Sequence, residues 1–149
     1  MHEEFPDAVI LPLRGYRIVY SKNKNLFFFK MLLQFPKVWR EIKRENSWLK
    51  RIVAEYSIDV VISDNRFGLY CKNAQCIFIT HQLFIKTGNW LTEIFAQKIN
   101  YKFINRFDSC RVPDQPAEQN LAGELSHPRT MPLVPVKYIG ILSRFEKSA

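Results

Sequence analysis

The chain contains two short, almost uninterrupted apolar runs, at residues 58–63 (IDVVIS) and 76–80 (CIFIT), and these runs limit its possible folds. Valine and isoleucine are stiff at χ1 and fit a pleated sheet, so both runs are predicted to be strands. Near-continuous apolar runs are typical of parallel strands that are covered on both faces. The chain is therefore predicted to contain a largely parallel sheet.

Helical spacing dominates two longer stretches. Apolar residues recur at intervals of three, four or seven over residues 26–56, which predicts helix. Pro36 is predicted to end a first helix near Gln34 and to occupy the first turn of a second one, because proline lacks the N–H group that a helix interior needs. A further helix is predicted over residues 89–107.

The remaining predicted elements are short and are, in chain order, a strand at 8–13, a strand or loop at 16–20, a strand at 109–112, a helical piece at 120–125 and a strand at 136–139. Pro12 confines the first of these to a sheet edge or a strand end. Five prolines make most of the stretch 113–135 a loop.

Strands that alternate with helices are typical of the α/β class. We therefore predict one mostly parallel sheet with helices on both faces. The 149 residues suffice for one domain and are few for two. No apolar run approaches the roughly 18 residues that a membrane span needs. The first residues lack a signal-peptide pattern, so the three cysteines are expected to be reduced thiols in a cytoplasmic protein.

Mostly polar residues follow three of the predicted strands, at the sheet edge where ligands of α/β proteins bind. They are Ser63, Asp64, Asn65 and Arg66 after the first run, Thr80, His81 and Gln82 after the second, and Pro113 and Asp114 after the third. Carboxylate, amide and guanidinium groups can bind a polar ligand, whereas Asp and Asn are also common turn formers. His81 can be a general base, or a structural histidine that is bonded to backbone.

The chain carries 22 basic and 14 acidic residues, a formal net charge of +8, which permits an anionic partner without identifying one. Lys98, Lys102 and Arg106 are four residues apart and share one face of the predicted helix. With the aromatic and aliphatic residues near them, they can rest on an anionic membrane surface. The alternative is a core-facing helix with a solvated basic edge.

We expect no metal and no cofactor. Cys71, Cys76, His81 and Cys110 have suitable side chains for zinc, but their spacing fits no strong zinc pattern. The five glycines are isolated, so neither a Walker loop nor G-x-G-x-x-G is present. No nucleic-acid-binding module is recognisable, and nucleic acid is not an expected partner.

Several stretches resemble the MurG-like glycosyltransferases of family 28, above all a group common in Bacteroidetes bacteria. The specific stretch is SDNRFGLY…FITHQL within residues 58–83, and the supporting ones are 100–107 (NYKFINRF), 120–128 (NLAGELSHP) and 136–145 (VKYIGILSRF). The resemblance implies the GT-B arrangement of two Rossmann-like domains that face a cleft. In that family the amino-terminal domain binds the acceptor, often a lipid-linked sugar, and the carboxy-terminal domain binds a nucleotide-sugar donor.

By the same resemblance, Asp64, Asn65, Arg66, His81 and Gln82 would face the cleft on the acceptor side, which agrees with their predicted places at the strand ends. His81 and Asp64 would be catalytic, as hydrogen-bond partners of sugar hydroxyls or as proton acceptors. The acceptor-binding residues would be Ser63, Asn65, Arg66, Thr80 and Gln82. Transfer in the family usually needs no metal ion.

The sequence departs from the family at both ends. The opening strand with its G-x-G-H loop has no counterpart before residues 3–6, and no donor-binding domain follows residue 145. The resemblance therefore implies that residues 1–149 are an incomplete amino-terminal domain, cytoplasmic and peripheral on the inner membrane face, that is inactive alone. The competing functional class is a non-catalytic module that binds an anionic membrane surface or a partner chain. A nucleic-acid binder is a third class.

Overall fold

The computed structural model describes residues 6–13, 24–116 and 120–141, with the side chains of the first helix described from residue 35 onward. The elements are α1 (Lys24–Tyr56), β1 (Val60–Asp64), β2 (Gln75–Ile79), α2 (Trp90–Ile104), β3 (Ser109–Val112), a 3₁₀ turn (Gly123–Leu125) and β4 (Val136–Tyr138). The predicted α/β class and the four strands that form the sheet are confirmed.

All four strands are parallel, and their order in the sheet is β1-β2-β3-β4. β1 begins two residues later than the apolar run because α1 ends immediately before it. Ser57 has a left-handed φ of 50°, and the amide of Ile58 donates to the carbonyl of Val53, so this segment closes the helix before the strand begins.

In the part of the chain that the structure describes, both helices pack on one face of the sheet, which corrects the prediction of helices on both faces. Leu49 of α1 and Ile104 of α2 share one buried core with Phe78 of β2. On the opposite face, Val60 and Ile62 are 47% and 62% exposed. α2 connects β2 to β3, and a right-handed crossover between these parallel strands places it on this face. α1 precedes β1 and packs beside α2, with Trp39 on Phe103.

α1 runs through Pro36 without interruption, so the predicted break near Gln34 is wrong. The proline removes one backbone hydrogen bond and crowds the preceding turn. Ring contacts flank the proline within α1 and join α1 to α2. The rings of Phe35 and Trp39 stack at 6.1 Å across the proline, and Trp39 packs on Phe103 of α2 at 5.9 Å.

The predicted strand at 8–13 is also wrong, because these residues join no strand of the sheet. Pro12 cannot donate to a ladder. Val9 and Ile10 are exposed, so no burial favours pairing there. The prediction for residues 16–20 falls outside the described residues.

Candidate functional site

The carboxyl ends of β1 and β2 lie side by side, because Asp64 is in register with Ile79. Asn65 follows in a left-handed conformation (φ 55°), and its amide donates to the carbonyl of Ile79 at 2.9 Å. Its side-chain oxygen accepts from Thr80 Oγ1 at 3.2 Å. Thr80 Oγ1 in turn accepts from the amide of Gln82 at 3.1 Å. The structure therefore brings the two predicted strand-end groups together.

Four of these predicted residues are exposed at this edge: Asp64, Asn65, His81 and Gln82. Among the described residues, no hydrogen bond joins the carboxylate of Asp64 to the imidazole of His81. The two side chains are available to a ligand, but they do not form a preassembled dyad.

Three other predicted residues stabilise the fold. Ser63 is fully buried and donates to the carbonyl of Arg66 at 2.6 Å, and Thr80 is buried in the network above. The guanidinium of Arg66 forms an ion pair with the buried carboxylate of Glu45 on α1, with Nε to Oε1 at 2.8 Å. Arg66 thus joins the loop after β1 to α1 and is engaged in that ion pair.

The loop that contains Arg66 lies directly on α1. A Cβ atom at Gly68 would lie 2.5 Å from Glu45 Cβ and 2.7 Å from the carbonyl oxygen of Ile42, so only glycine allows this approach. Asn46 of α1 also binds this loop, because its Nδ2 donates to the carbonyl of Tyr70 at 2.5 Å. The loop after β1 is therefore held closely against α1.

A second polar cluster, centred on Asp114, lies beyond β3 and β4. The Asp114 carboxylate is buried and accepts from Ser126 Oγ at 2.6 Å and from the amide of Leu121 at 2.9 Å. The Ser126 hydroxyl and these amides hold the pKa of Asp114 well below its usual value. Ser126 Oγ lies 2.8 Å from His127 Nδ1, and the His127 ring stacks on Tyr138 at 4.5 Å.

Sequence reasoning selected Asp114 by its strand-end position but missed Ser126 and His127. These two residues lie in the proline-containing loop 113–135, where no periodic pattern points to a structural role. The only signal was a Ser-His pair 12 residues beyond a strand-end Asp, which is too common a combination to single out.

A cavity of about 390 Å³ adjoins this cluster. It lies between the first half of α2 and the loops after β2 and β3. Its lining includes Phe84, Lys86, Trp90, Gln97, His127 and Arg129. Its size falls in the range of about 300–1,000 Å³ that is typical of small-molecule sites.

The three basic residues predicted to share one face of α2 do not all lie there. Lys98 and Lys102 are exposed, but Arg106 lies beyond the end of the helix at Ile104. Its guanidinium sits 5.4 Å from the Trp39 ring and 4.8 Å from the Phe103 ring. Arg106 therefore belongs to the contact between the helices, which corrects its predicted place on the basic face.

The first half of α2 exposes large apolar side chains instead: Trp90, Leu91, Ile94 and Phe95. We call these four residues the α2 apolar patch. None of the described helices has the length and apolar composition that a membrane crossing requires.

The three cysteines are free thiols. Burial raises the pKa of Cys76 to about 11 and that of Cys110 to about 12. Among the described residues, no three metal-ligating side chains form a group that could hold an ion.

The described residues thus form an all-parallel α/β sheet with two polar clusters at its carboxyl edge and a cavity beside the second. Comparison of the chain with protein-family models, with curated proteins and with solved structures finds no match.

Proposed function

We propose that the chain is the acceptor-binding part of a GT-B glycosyltransferase of the MurG-like family 28, which transfers a sugar from a nucleotide-sugar donor to an acceptor, in this family often a lipid-linked sugar. The observation that carries the proposal is the register of Asp64 with Ile79. It sets the exposed Asp64 and Asn65 beside the loop with His81 and Gln82, at the edge where α/β sheets bind ligands.

In this proposal, an acceptor hydroxyl attacks the anomeric carbon of the donor sugar, and the nucleoside diphosphate leaves. His81 takes the proton of that hydroxyl, and Asp64 accepts a hydrogen bond from a neighbouring sugar hydroxyl. Asn65 and Gln82 orient the ring. Ser63, Thr80 and Arg66 act at a distance, because they hold the backbone that carries the other four residues.

The donor site belongs, in this proposal, to a second domain, and the enzyme works on the cytoplasmic side of the membrane. The chain by itself then binds acceptor glycosides and neither binds nucleotide sugars nor releases nucleoside diphosphate.

The test is an NMR titration of the ¹⁵N-labelled chain with methyl glycosides of glucose, galactose and N-acetylglucosamine, and separately with their uridine-diphosphate sugars. The glycosides are expected to shift the signals of Asn65, His81 and Gln82. Asp64→Asn should weaken this binding about threefold to tenfold, since a hydrogen bond to a charged group is lost. Asp59→Asn, which alters an exposed carboxylate just before β1, is the matched control.

Unchanged affinity in both Asp64→Asn and His81→Ala would contradict the proposed roles of these residues. Release of uridine diphosphate by the chain alone, from a nucleotide sugar and a glycoside, would contradict the location of the donor site in a second domain.

The second candidate function is attachment to an anionic membrane surface, and the α2 apolar patch favours it. Trp90 is 67% exposed, and the exposed, cationic Lys98 and Lys102 follow the patch on α2. Aromatic and aliphatic side chains bordered by lysines are typical of membrane-surface helices. We propose that this patch lies against the lipid headgroups.

Vesicle flotation tests this function with phosphatidylglycerol-containing and pure phosphatidylcholine vesicles. The chain is expected to float with the anionic vesicles only, less so in high salt, and Trp90→Ala should weaken the association. Lys50→Ala, which removes an exposed cation on α1, should have little effect. Equal flotation of Trp90→Ala and the unaltered chain would contradict the candidate.

A further inference from the structure

Two of the three cysteines lie with their sulfur atoms in contact. Cys71 lies in the connection between β1 and β2, and Cys76 is the second residue of β2. Their Sγ atoms are 3.9 Å apart. All three cysteines belong to the described part of the chain, and this is the one sulfur–sulfur contact among them. The third thiol, that of Cys110, is buried in the core.

Both residues of the pair are held in place by contacts with other elements. The carbonyl of Tyr70, directly before Cys71, accepts from Asn46 of α1 at 2.5 Å. The amide of Cys76 donates to Asp108 Oδ2 at 2.7 Å, and the amide of Asp108 donates to the carbonyl of Cys76 at 2.9 Å. The fold therefore fixes the two backbone positions from which the sulfur atoms meet.

The two thiols differ in their access to solvent. Cys71 is only partly buried, whereas Cys76 is fully buried. The turn between them encloses the Cys76 sulfur, because the Cys71 amide donates to it at 3.2 Å and the carbonyl of Ala74 lies 3.4 Å away. Burial raises the pKa of Cys76 to about 11, and the hydrogen bond from the Cys71 amide opposes part of that rise. A dissolved oxidant therefore reaches Cys71 before Cys76.

We propose that Cys71 and Cys76 are a reversible oxidation site for peroxides, in which Cys71 reacts first and Cys76 then closes a disulfide with it. A disulfide joins sulfur atoms at about 2.05 Å, so the two atoms must approach by roughly 2 Å. Rotation of the partly buried Cys71 side chain can supply this approach. The proposal goes beyond the transferase function, since neither cysteine is among the proposed acceptor-binding residues.

Oxidation takes place in two steps. The Cys71 sulfur attacks one oxygen of hydrogen peroxide: an S–O bond forms, the O–O bond breaks, and the thiol proton leaves with the second oxygen as water. The Cys76 sulfur then attacks the sulfenic acid: an S–S bond forms, the S–O bond breaks, and the hydroxyl group leaves with the Cys76 proton as a second water. The thiols together lose two electrons, and the peroxide is reduced to water.

The experiment uses the full chain and identifies the linked residues directly. Trypsin cuts after Lys72, between the two cysteines, so the proposed disulfide joins two separate tryptic peptides, 67–72 and 73–86. Cys110 falls in a third peptide. The chain is treated with hydrogen peroxide, free thiols are blocked, and the digest is analysed by mass spectrometry without reduction. The two peptides are expected to be joined after peroxide and to separate after treatment with dithiothreitol.

Three variants assign the roles of the thiols. Cys110→Ser is the matched control and should form the same linked peptides. Cys71→Ser should lose the link and leave the Cys76 thiol unoxidised by the same treatment. Cys76→Ala should also lose the link, and the sulfenic acid at Cys71 should persist and be labelled by dimedone. Because Cys76 is in the core, Cys71→Ser tests the pair at the less buried of its two positions.

Several results would overturn the proposal: no linked peptides after peroxide treatment, a link that includes Cys110, or a link between two chains in place of one within a chain. Conversion of Cys71 to the sulfinic acid in the unaltered chain would also overturn it, because a second thiol in contact should react with the sulfenic acid before that step. None of these results bears on the transferase proposal, which is tested by the glycoside titration.

Discussion

Ser126 donates its hydroxyl proton to the buried carboxylate of Asp114 across 2.6 Å, and the same carboxylate accepts from the amides of Leu121 and Ala122. One side chain at the end of β3 thus organises the loop that leads to β4. The loop in turn forms one wall of the cavity. The folded conformation of this wall therefore depends on one ionised group, the carboxylate of Asp114.

Acidic pH should destabilise the loop between β3 and β4 that Asp114 organises. The pKa of Asp114 lies below its usual value in the folded chain, so the unfolded chain binds the proton more readily. Its contribution to stability is complete above the ordinary aspartate pKa near 4 and is lost as the pH falls below it. Urea unfolding between pH 6 and pH 2.5 should show a shallower loss of stability in Asp114→Asn than in the unaltered chain. Parallel curves would contradict this role, and Asp59→Asn is the control.

Breaking the Glu45–Arg66 ion pair should be costly. Arg66→Met leaves the carboxylate of Glu45, which is buried on α1, without that cationic partner. We expect a loss of about 2–4 kcal/mol in the free energy of unfolding, measured with urea, because an uncompensated buried charge is strongly destabilising. The double variant Glu45→Gln/Arg66→Met should recover part of that loss. A double variant as unstable as the sum of both single variants would contradict the coupling.

Replacing Pro36 should stabilise the chain. The proline lies inside α1 and is exposed, so alanine restores a backbone hydrogen bond without disturbing the core. Proline costs about 3 kcal/mol in a helix interior, and we expect Pro36→Ala to gain about 1–3 kcal/mol in unfolding free energy. Circular dichroism and urea unfolding measure the effect. A less stable variant would show that the proline contributes favourably to the packing of Phe35 on Trp39.

The thiols should react in a fixed order. Burial raises the pKa of Cys76 to about 11 and that of Cys110 to about 12, so few thiolates form at either site at pH 8. Cys71 is only partly buried. Mass spectrometry after brief treatment with iodoacetamide at pH 8 should find Cys71 modified first, with the other two protected until the chain unfolds. Early modification of Cys110 would contradict its burial, and urea-unfolded chain is the control.

β1 and β2 were predictable from sequence because their signal is local: β-branched and other apolar residues in short runs between turn residues. Whether helices cover one face of the sheet or both could not be predicted from the sequence. It depends on the spatial arrangement of the strands and helices, which no single apolar run reveals. The continuous α1 was missed because local sequence signals do not record contacts with distant residues, such as that of Trp39 on Phe103 of α2.

The strand-end residues were predictable as neighbours, since parallel strands end at one edge. Which of these side chains are exposed and which stabilise the fold could not be predicted. That depends on partners such as Glu45, which is distant in sequence from Arg66. The cluster of Asp114, Ser126 and His127 lies in a loop without periodicity, so only the folded chain shows it.

The strand order also bears on how the chain is made. Because the order in the sheet is the order in the sequence, β2, β3 and β4 each pair with the strand synthesised just before them. α1 precedes all of them, and its core-facing side is available when β1 leaves the ribosome. Each new strand thus meets a completed edge, and the sheet can grow in the direction of translation without waiting for a distant segment.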